Sequence, residues 1–381
     1  MAQQNKRGGP SVVVIGAGIV GASIAYHLCR RGASVTVIDE HSPGSGASSR
    51  SFAWINATAK APALYHDLSR RSQEMWGRFA GHLGGDVGLR WGGRLQWVAT
   101  PEAAEEMYQL VKQLQGWGYP CRIVDKAEML ELEPGLSPGP VTAAIYTEVD
   151  GQVDPVKVID ACLQRAAQWG LKLHQETPAT GLTLAESATG DVRVVGVETE
   201  RGNLPCDVVV LAAGVGTTRL AAMAAINIPQ PVSPGVIIKT DPRPPLLPTV
   251  PVLYPPTLQD GRGVIHIRQS TDGVVTVGES AEASLSLDDS QRHADDVLAR
   301  AVHYLPALAG AKAFPAAVAY RPMPRDGFPV LGFSQAAPNV YVALTHSGVT
   351  LAPLIGELAA LEIVEGATVE MLSAYRPDRF T

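Results

Sequence analysis

The amino-acid sequence predicts an α/β protein of about two domains, on three observations. A β-branched run, a glycine-punctuated helical segment and a second β-branched run follow one another between Val12 and Ile38. Residues 234–256 carry eight prolines, which interrupts the regular pattern. Beyond them two apolar runs, Val264–Ile267 and Val274–Val277, are joined by Thr271-Asp272-Gly273 in the manner of a β-hairpin. With 381 residues, 46% of them hydrophobic, the chain can bury a large core.

The elements can be read in order. Val12–Ile15 and Val35–Ile38 are β-branched and favour extended backbone, whereas Ile19–Arg30 has helical spacing and stops at Gly32. Leu64, Leu68, Met75, Trp76 and Phe79 recur at helical intervals. Thr100-Pro101 and Asp154-Pro155 each offer a capping side chain followed by proline at the first helical position, opening helices to about Leu114 and to a stop at Gly170. Strands are expected at 171–174, 192–198 and 208–211, then at 340–344, before a last helix over 349–365 stopped by Gly366. The proline-dense segment 234–256 predicts loops and edge segments, not a central strand, because proline cannot donate to a ladder.

Composition narrows the function. A formal net charge of −6 and 18% charged residues leave no broad basic surface for nucleic acid. The four cysteines, Cys29, Cys121, Cys162 and Cys206, fit neither a disulfide framework nor a zinc site, and no metal is expected. Met1–Pro10 is polar and lacks a secretory core, and the apolar stretch Val12–Cys29 is broken by glycines, so a cytoplasmic protein without a transmembrane segment is expected.

Gly16, Gly18 and Gly21 form GxGxxG between the first strand and the first helix, the Rossmann-like arrangement for a dinucleotide. The glycines permit a tight turn, approach of backbone to a pyrophosphate and close helix packing. Ile19 and Val20 belong to the helix N-terminus that faces the phosphates. Asp39, with Glu40 beside it, ends the second strand 18 residues after Gly21, where a carboxylate accepts from ribose hydroxyls. The motif does not distinguish FAD from NAD, because both carry the ADP half.

VVVIGAGIVGASIAYHL with VTVIDEHSPGSGASSRS resembles the start of the FAD-dependent D-amino-acid oxidase superfamily, in its glycine oxidase, sarcosine oxidase and D-amino-acid dehydrogenase branch. DGQVDPVKVIDACLQRAAQWG, VVVLAAGVGTTRL, AYRPMPRDGFPVLG and THSGVTLAPLIGELAALEIVEG resemble later family segments in the family's order. The resemblance implies a Rossmann-like FAD-binding domain, residues 1–85 with 150–225 and 322–381, and a substrate domain on a mixed β-sheet, residues 86–149 with 226–321. It implies hydride transfer from the carbon bearing nitrogen to flavin N5, giving an imine.

The same resemblance implies site residues. Ser48, Ser49 and Arg50 would line the pyrophosphate and flavin, Ala213 and Gly214 would lie beside the flavin, and Ser347, Gly348, Val349 and Thr350 would meet it at the last helix, with Ser347 as contact or cap. Arg321, also a candidate cofactor contact, stands where relatives hold the substrate carboxylate; the alternative is a surface or domain-bridging ion pair, such as one with Asp326. His266 takes the place of a substrate-contacting tyrosine, with Arg268 on its face, and His346 and Tyr254 are further substrate candidates. No cysteine occupies the covalent attachment position around 320–325, which implies noncovalent FAD. Thr276 replaces a lysine that activates oxygen in sarcosine oxidase, which tilts the acceptor from oxygen towards a quinone or dye. A small amine or amino acid is the implied substrate. A 2-hydroxy-acid dehydrogenase and a non-catalytic flavoprotein subunit remain open, and an oligomer is possible.

Overall fold

The computed structural model describes residues 8–58, 60–186, 192–258, 263–279 and 287–380. The polar N-terminus as far as Arg7 lies outside the described residues. Strand β1 (Ser11–Ile15), helix α1 (Ile19–Arg30) and strand β2 (Ser34–Ile38) form the expected βαβ unit. They sit in a six-stranded sheet ordered Val330–Phe333, Val340–Leu344, Val208–Leu211, β1, β2, Lys172–His174. All neighbours are parallel except the first pair. Parallel strands covered on both faces are apolar throughout, and Val208–Leu211 is buried at every residue.

One face is covered by α1, the helix Pro155–Ala167 and the last helix, Gly348–Glu365. The last helix crosses α1 closely: Ser23 Oγ donates to the Ala352 carbonyl at 2.7 Å, and a Cβ on Gly356 would lie 2.3 Å from that hydroxyl. The expected caps are present, since Thr100 Oγ1 accepts from Ala103 N at 3.3 Å and Asp154 Oδ1 accepts from Val156 N at 2.9 Å. Gly366 closes the last helix at φ 67°, a left-handed residue that suits glycine.

A second, eight-stranded sheet runs Ala313–Pro315, Ile237–Thr240, Val275–Glu279, Ile265–Gln269, Val252–Tyr254, Arg94–Val98, Ala143–Thr147, Cys121–Val124. It is mixed, because Val252–Tyr254 pairs with Arg94–Val98 in parallel while the other neighbours are antiparallel. The hairpin between Ile265–Gln269 and Val275–Glu279 is as expected. The expectation for the proline-dense segment is overturned, since Ile237–Thr240 and Val252–Tyr254 both occupy interior positions of this sheet. The prolines fall before, between and after these two short runs, so every residue that must donate to the ladder keeps its N–H. Among the described residues no helix is long and apolar enough to cross a membrane.

Candidate active site

A cleft of about 520 Å³ opens at the carboxyl ends of β1 and β2, within the size range of cofactor sites. Gly16 has φ 106°, and a Cβ there would lie 2.4 Å from the Ala212 carbonyl oxygen. A Cβ on Gly21 would lie 1.9 Å from the Gly16 carbonyl oxygen, so α1 can rest on β1 only through glycine. At Gly18 the nearest atom is Ser48 Oγ, at 3.3 Å, and this glycine faces the cleft. Ser48 Oγ accepts from Ile19 N at 3.1 Å and so caps α1 as well as lining the cleft.

Asp39 stands at the lip. Its Oδ2 accepts from Ala17 N at 2.7 Å and its Oδ1 from His41 N at 2.8 Å. Each oxygen keeps a lone pair for a hydroxyl donor. Burial holds this carboxyl above the usual carboxylate range, against the two N–H donors that lower it. Glu40, Ile19, Val20, Ala213, Gly214, Gly348 and Val349 line the same cleft. The N-termini of α1 and the last helix converge there, since a Cβ on Gly348 would lie 3.3 Å from Val20 Cγ2. Two helix N-termini aimed at one cleft supply first-turn N–H groups and positive partial charge to an anionic ligand.

Besides Gly21, which packs α1 on β1, and Arg321, four predicted cofactor residues stand outside the lining. Ser49 and Arg50 lie outside the cleft lining, and Ser49 offers its carbonyl to Lys239 Nζ at 3.4 Å. Ser347 sits at the N-cap position of the last helix, but its side chain does not cap; Ser347 Oγ accepts from the Tyr65 hydroxyl at 2.9 Å instead. Thr350 is buried and ties the last helix to the segment after the cleft loop, its Oγ1 donating to the Trp54 carbonyl at 3.2 Å and accepting from Asn56 N at 3.3 Å.

Of the predicted substrate residues, His346 lines the cleft, and Arg321, His266 and Tyr254 lie outside its lining. Arg321 is half-buried; its backbone N–H donates to the Ser233 carbonyl at 2.7 Å, and Nη1 donates to the Pro234 carbonyl. Its guanidinium lies against Gly235, where a Cβ would be 2.8 Å from Nη2. Asp326 binds Arg379 at 2.8 Å, so the alternative pairing of Asp326 with Arg321 does not form. The Arg321 charge acts on both His266 and His346.

Burial and that charge push His266 down to about 3. Its ring stacks on Tyr254 at 5.1 Å, meets Phe52 edge-on at 4.2 Å, and leaves Nδ1 buried without a hydrogen-bond partner. Arg268 lies over Phe52 at 5.9 Å, on the face shared with His266. Burial also raises the Tyr254 phenol to about 12. His346 lines the cleft and is exposed to it, yet protein encloses its other sides; burial, with the charges of Lys60 and Arg321, pushes it down to about 4. Both imidazoles are neutral near pH 7, able to share a hydrogen bond but weak as proton acceptors.

Several lining residues escaped the sequence reading. Arg219 and Tyr320 line the cleft, as do Gly44–Ala47 and Thr345. Arg219 falls inside the VVVLAAGVGTTRL segment and Gly44–Ala47 inside VTVIDEHSPGSGASSRS, so a reading of those segments residue by residue could have found them. Lys60, which lies outside the lining but lowers His346 by its charge, belongs to no motif and carried no signal.

A family model described as DAO, FAD dependent oxidoreductase, matches residues 11–361. The chain belongs to this family. One of the subunits of opine oxidase from Agrobacterium tumefaciens (strain Ach5) is 28% identical over 380 residues, 97% of each chain. Glycine oxidase of Geobacillus kaustophilus (strain HTA426) is 27% identical, covering 93% of this chain and 92% of its own. The crystal structure of glycine oxidase from Geobacillus kaustophilus superposes with a TM-score of 0.82 at 25% identity, over 96% of this chain and 98% of that one.

The family's cofactor fits the cleft: Gly16 and Gly18 keep its wall free of side chains, Gly21 lets α1 rest on β1 behind that wall, and Asp39 offers lone pairs at the lip. As an FAD-dependent oxidoreductase, the protein should lose FAD affinity in Asp39→Ala by about 1.5 to 3 kcal/mol, the worth of charge-assisted hydrogen bonds. Fluorescence titration of apoprotein with FAD measures the loss, and the Tm of the apoproteins separates it from release of the Ala17 and His41 amides. An unaltered Kd would place the ribose elsewhere.

Proposed function

We propose that this FAD-dependent oxidoreductase oxidises the C–N bond of a small amino acid or secondary amine whose carboxylate is held by Arg321. The observation that carries the reading is His346 in the lining of the dinucleotide cleft, with Tyr320 and Pro322 on either side of Arg321 lining it too; burial and the Arg321 charge together push down both His346 and the more deeply enclosed His266. The names of the relatives, glycine oxidase and opine oxidase, support an amine substrate. No observation favours a hydroxy acid or a non-catalytic role.

Bound FAD supplies the hydride acceptor for the carbon bearing nitrogen, which leaves an imine for water to hydrolyse. The chain supplies position and field. A planar guanidinium gives a two-pronged match to a carboxylate, and the Pro234 carbonyl with the face of Gly235 holds it in one orientation. A nearby cation disfavours a substrate ammonium and so favours the neutral amine, whose lone pair is needed as the hydride departs. The row Phe52, His266, Tyr254 and Trp54 makes an aromatic wall, and the orphan Nδ1 of His266 offers a hydrogen bond to the amine. Gly16, Gly18, Gly21, Asp39 and the first turns of α1 and the last helix hold the cofactor in this reading. Held noncovalently, it leaves with acid; none of the four cysteines lines the cleft.

The division into an FAD-binding and a substrate domain is supported by the two sheets, whose strands come from the expected segments. Thr276, buried in the strand Val275–Glu279, supports a quinone or dye over oxygen as acceptor. A cytoplasmic location completes the proposal. Anaerobic mixing with D-amino acids, N-methylglycine, prolines and 2-hydroxy acids, followed by flavin absorbance, tests the reading. Bleaching by carboxylate-bearing amines is expected; bleaching by hydroxy acids alone would replace it with alcohol oxidation.

A further inference from the structure

Arg219 is carried on the short helix Thr217–Ala222, which follows the strand Val208–Leu211 beside β1. It lines the dinucleotide cleft from that side, and its Nη2 reaches to 3.5 Å from the Ala179 carbonyl oxygen on the other. Thr177 and Ala179 belong to the lining as well, and Thr177 N donates to the Asp39 carbonyl at 2.7 Å. The wall at Ala179 therefore continues directly from Asp39, the carboxylate suited to the ribose hydroxyls.

The chain leaves a dinucleotide little choice of direction in this cleft. Its pyrophosphate is drawn to the turn at Gly16 and Gly18, where the N-termini of α1 and the last helix converge. Its adenosine ribose goes to Asp39. The base then lies beyond the ribose, at the wall that Thr177 and Ala179 form with the apolar Leu220. The Arg219 side chain spans that end of the cleft from one wall to the other.

Arg219 is exposed, and among the described residues it has no ion pair and no hydrogen bond besides the one to Ala179. At 3.5 Å that bond is long and fixes the guanidinium only loosely, which leaves its flat faces to a ligand. A guanidinium is planar and weakly hydrated, so it stacks on the face of an aromatic ring, and every purine presents such a face. An arginine serving the pyrophosphate would instead point at the glycine turn.

We infer that Arg219 stacks on the adenine ring of FAD and closes the adenosine end of the cleft, so that through this residue the chain selects the dinucleotide over FMN. The inference stands on the FAD cleft alone and does not depend on which amine is oxidised.

The test uses the full chain isolated with its FAD: wild type, Arg219→Met, which keeps the aliphatic stem, and Arg219→Lys, which keeps the charge without the plane. The Tm at saturating FAD checks that each variant is folded. Retention of FAD on serial dilution gives its Kd, and displacement by excess ADP or FMN, read by ultrafiltration and chromatography of the bound nucleotide, gives theirs. Arg219→Met should weaken FAD by roughly 3-fold to 30-fold, the range of a cation over an aromatic face. ADP should lose as much and FMN nothing. Arg219→Lys should recover only part of the loss, and the loss should persist from about 0.05 M to about 0.5 M sodium chloride, a range over which an exposed ion pair to phosphate is screened. An unchanged FAD Kd in Arg219→Met, or equal losses for FAD and FMN, would overturn the assignment. Full recovery by lysine, or a loss that vanishes at high salt, would also overturn it and give Arg219 to the pyrophosphate.

Discussion

Arg321→Leu is expected to lower kcat/KM for carboxylate-bearing amines by roughly 30-fold to several thousand-fold while leaving FAD bound, the loss of about 2 to 5 kcal/mol that follows removal of one member of a charge-assisted pair. Arg321→Lys should recover part of this, because an ammonium cannot make two parallel hydrogen bonds to one carboxylate. Gly235→Ala is an independent probe that leaves the arginine in place. Its Cβ would lie 2.8 Å from Nη2, so the guanidinium must swing away and activity should fall in the same direction. Amines without a carboxylate gain nothing from Arg321, and their turnover should change far less. Equal losses for both substrate kinds, measured by steady-state kinetics, or a colourless mutant, would assign Arg321 to structure or cofactor.

The second large effect is expected at Gly21. In Gly21→Ala the new methyl carbon would lie 1.9 Å from the Gly16 carbonyl oxygen and 3.3 Å from Ala212 Cβ. The first of these is a backbone atom in the phosphate-facing turn, so α1 must lift from β1 before the residue fits. Overpacking of this kind costs about 1 to 3 kcal/mol in ordinary cores and more where backbone is the obstacle. The mutant should purify colourless with a lowered apoprotein Tm. Gly18→Ala supplies the contrast, because its Cβ meets only Ser48 Oγ, at 3.3 Å. That variant should keep the apoprotein Tm and lose FAD affinity. A yellow Gly21→Ala protein with an unchanged Tm would mean that the turn gives way easily.

The parts of the fold legible in the sequence are those whose signals are local. The unit from β1 to β2 shows its β-branched runs, glycines and helical spacing within about thirty residues. Thr100 and Asp154 cap helices because a short acceptor side chain followed by proline acts on the next turn alone. The proline-dense segment misled for the same reason. Its strand Val252–Tyr254 gains its place from parallel pairing with Arg94–Val98, far earlier in the chain, and no local pattern records that partner.

The candidate site divides along the same line. Gly16, Gly18, Gly21 and Asp39 announce themselves, because one turn, one close approach and one carboxylate at the end of the next strand are set by neighbours in sequence. That much, with the family resemblance, determined a dinucleotide cleft of FAD type. Tertiary structure alone decided the rest: that Ser347 serves Tyr65 and does not cap its helix, and that Asp326 goes to Arg379 and leaves Arg321 against Gly235. Each is a contact between segments far apart along the chain, and such contacts are chosen by packing, where burial and the loss of water decide which charge meets which partner.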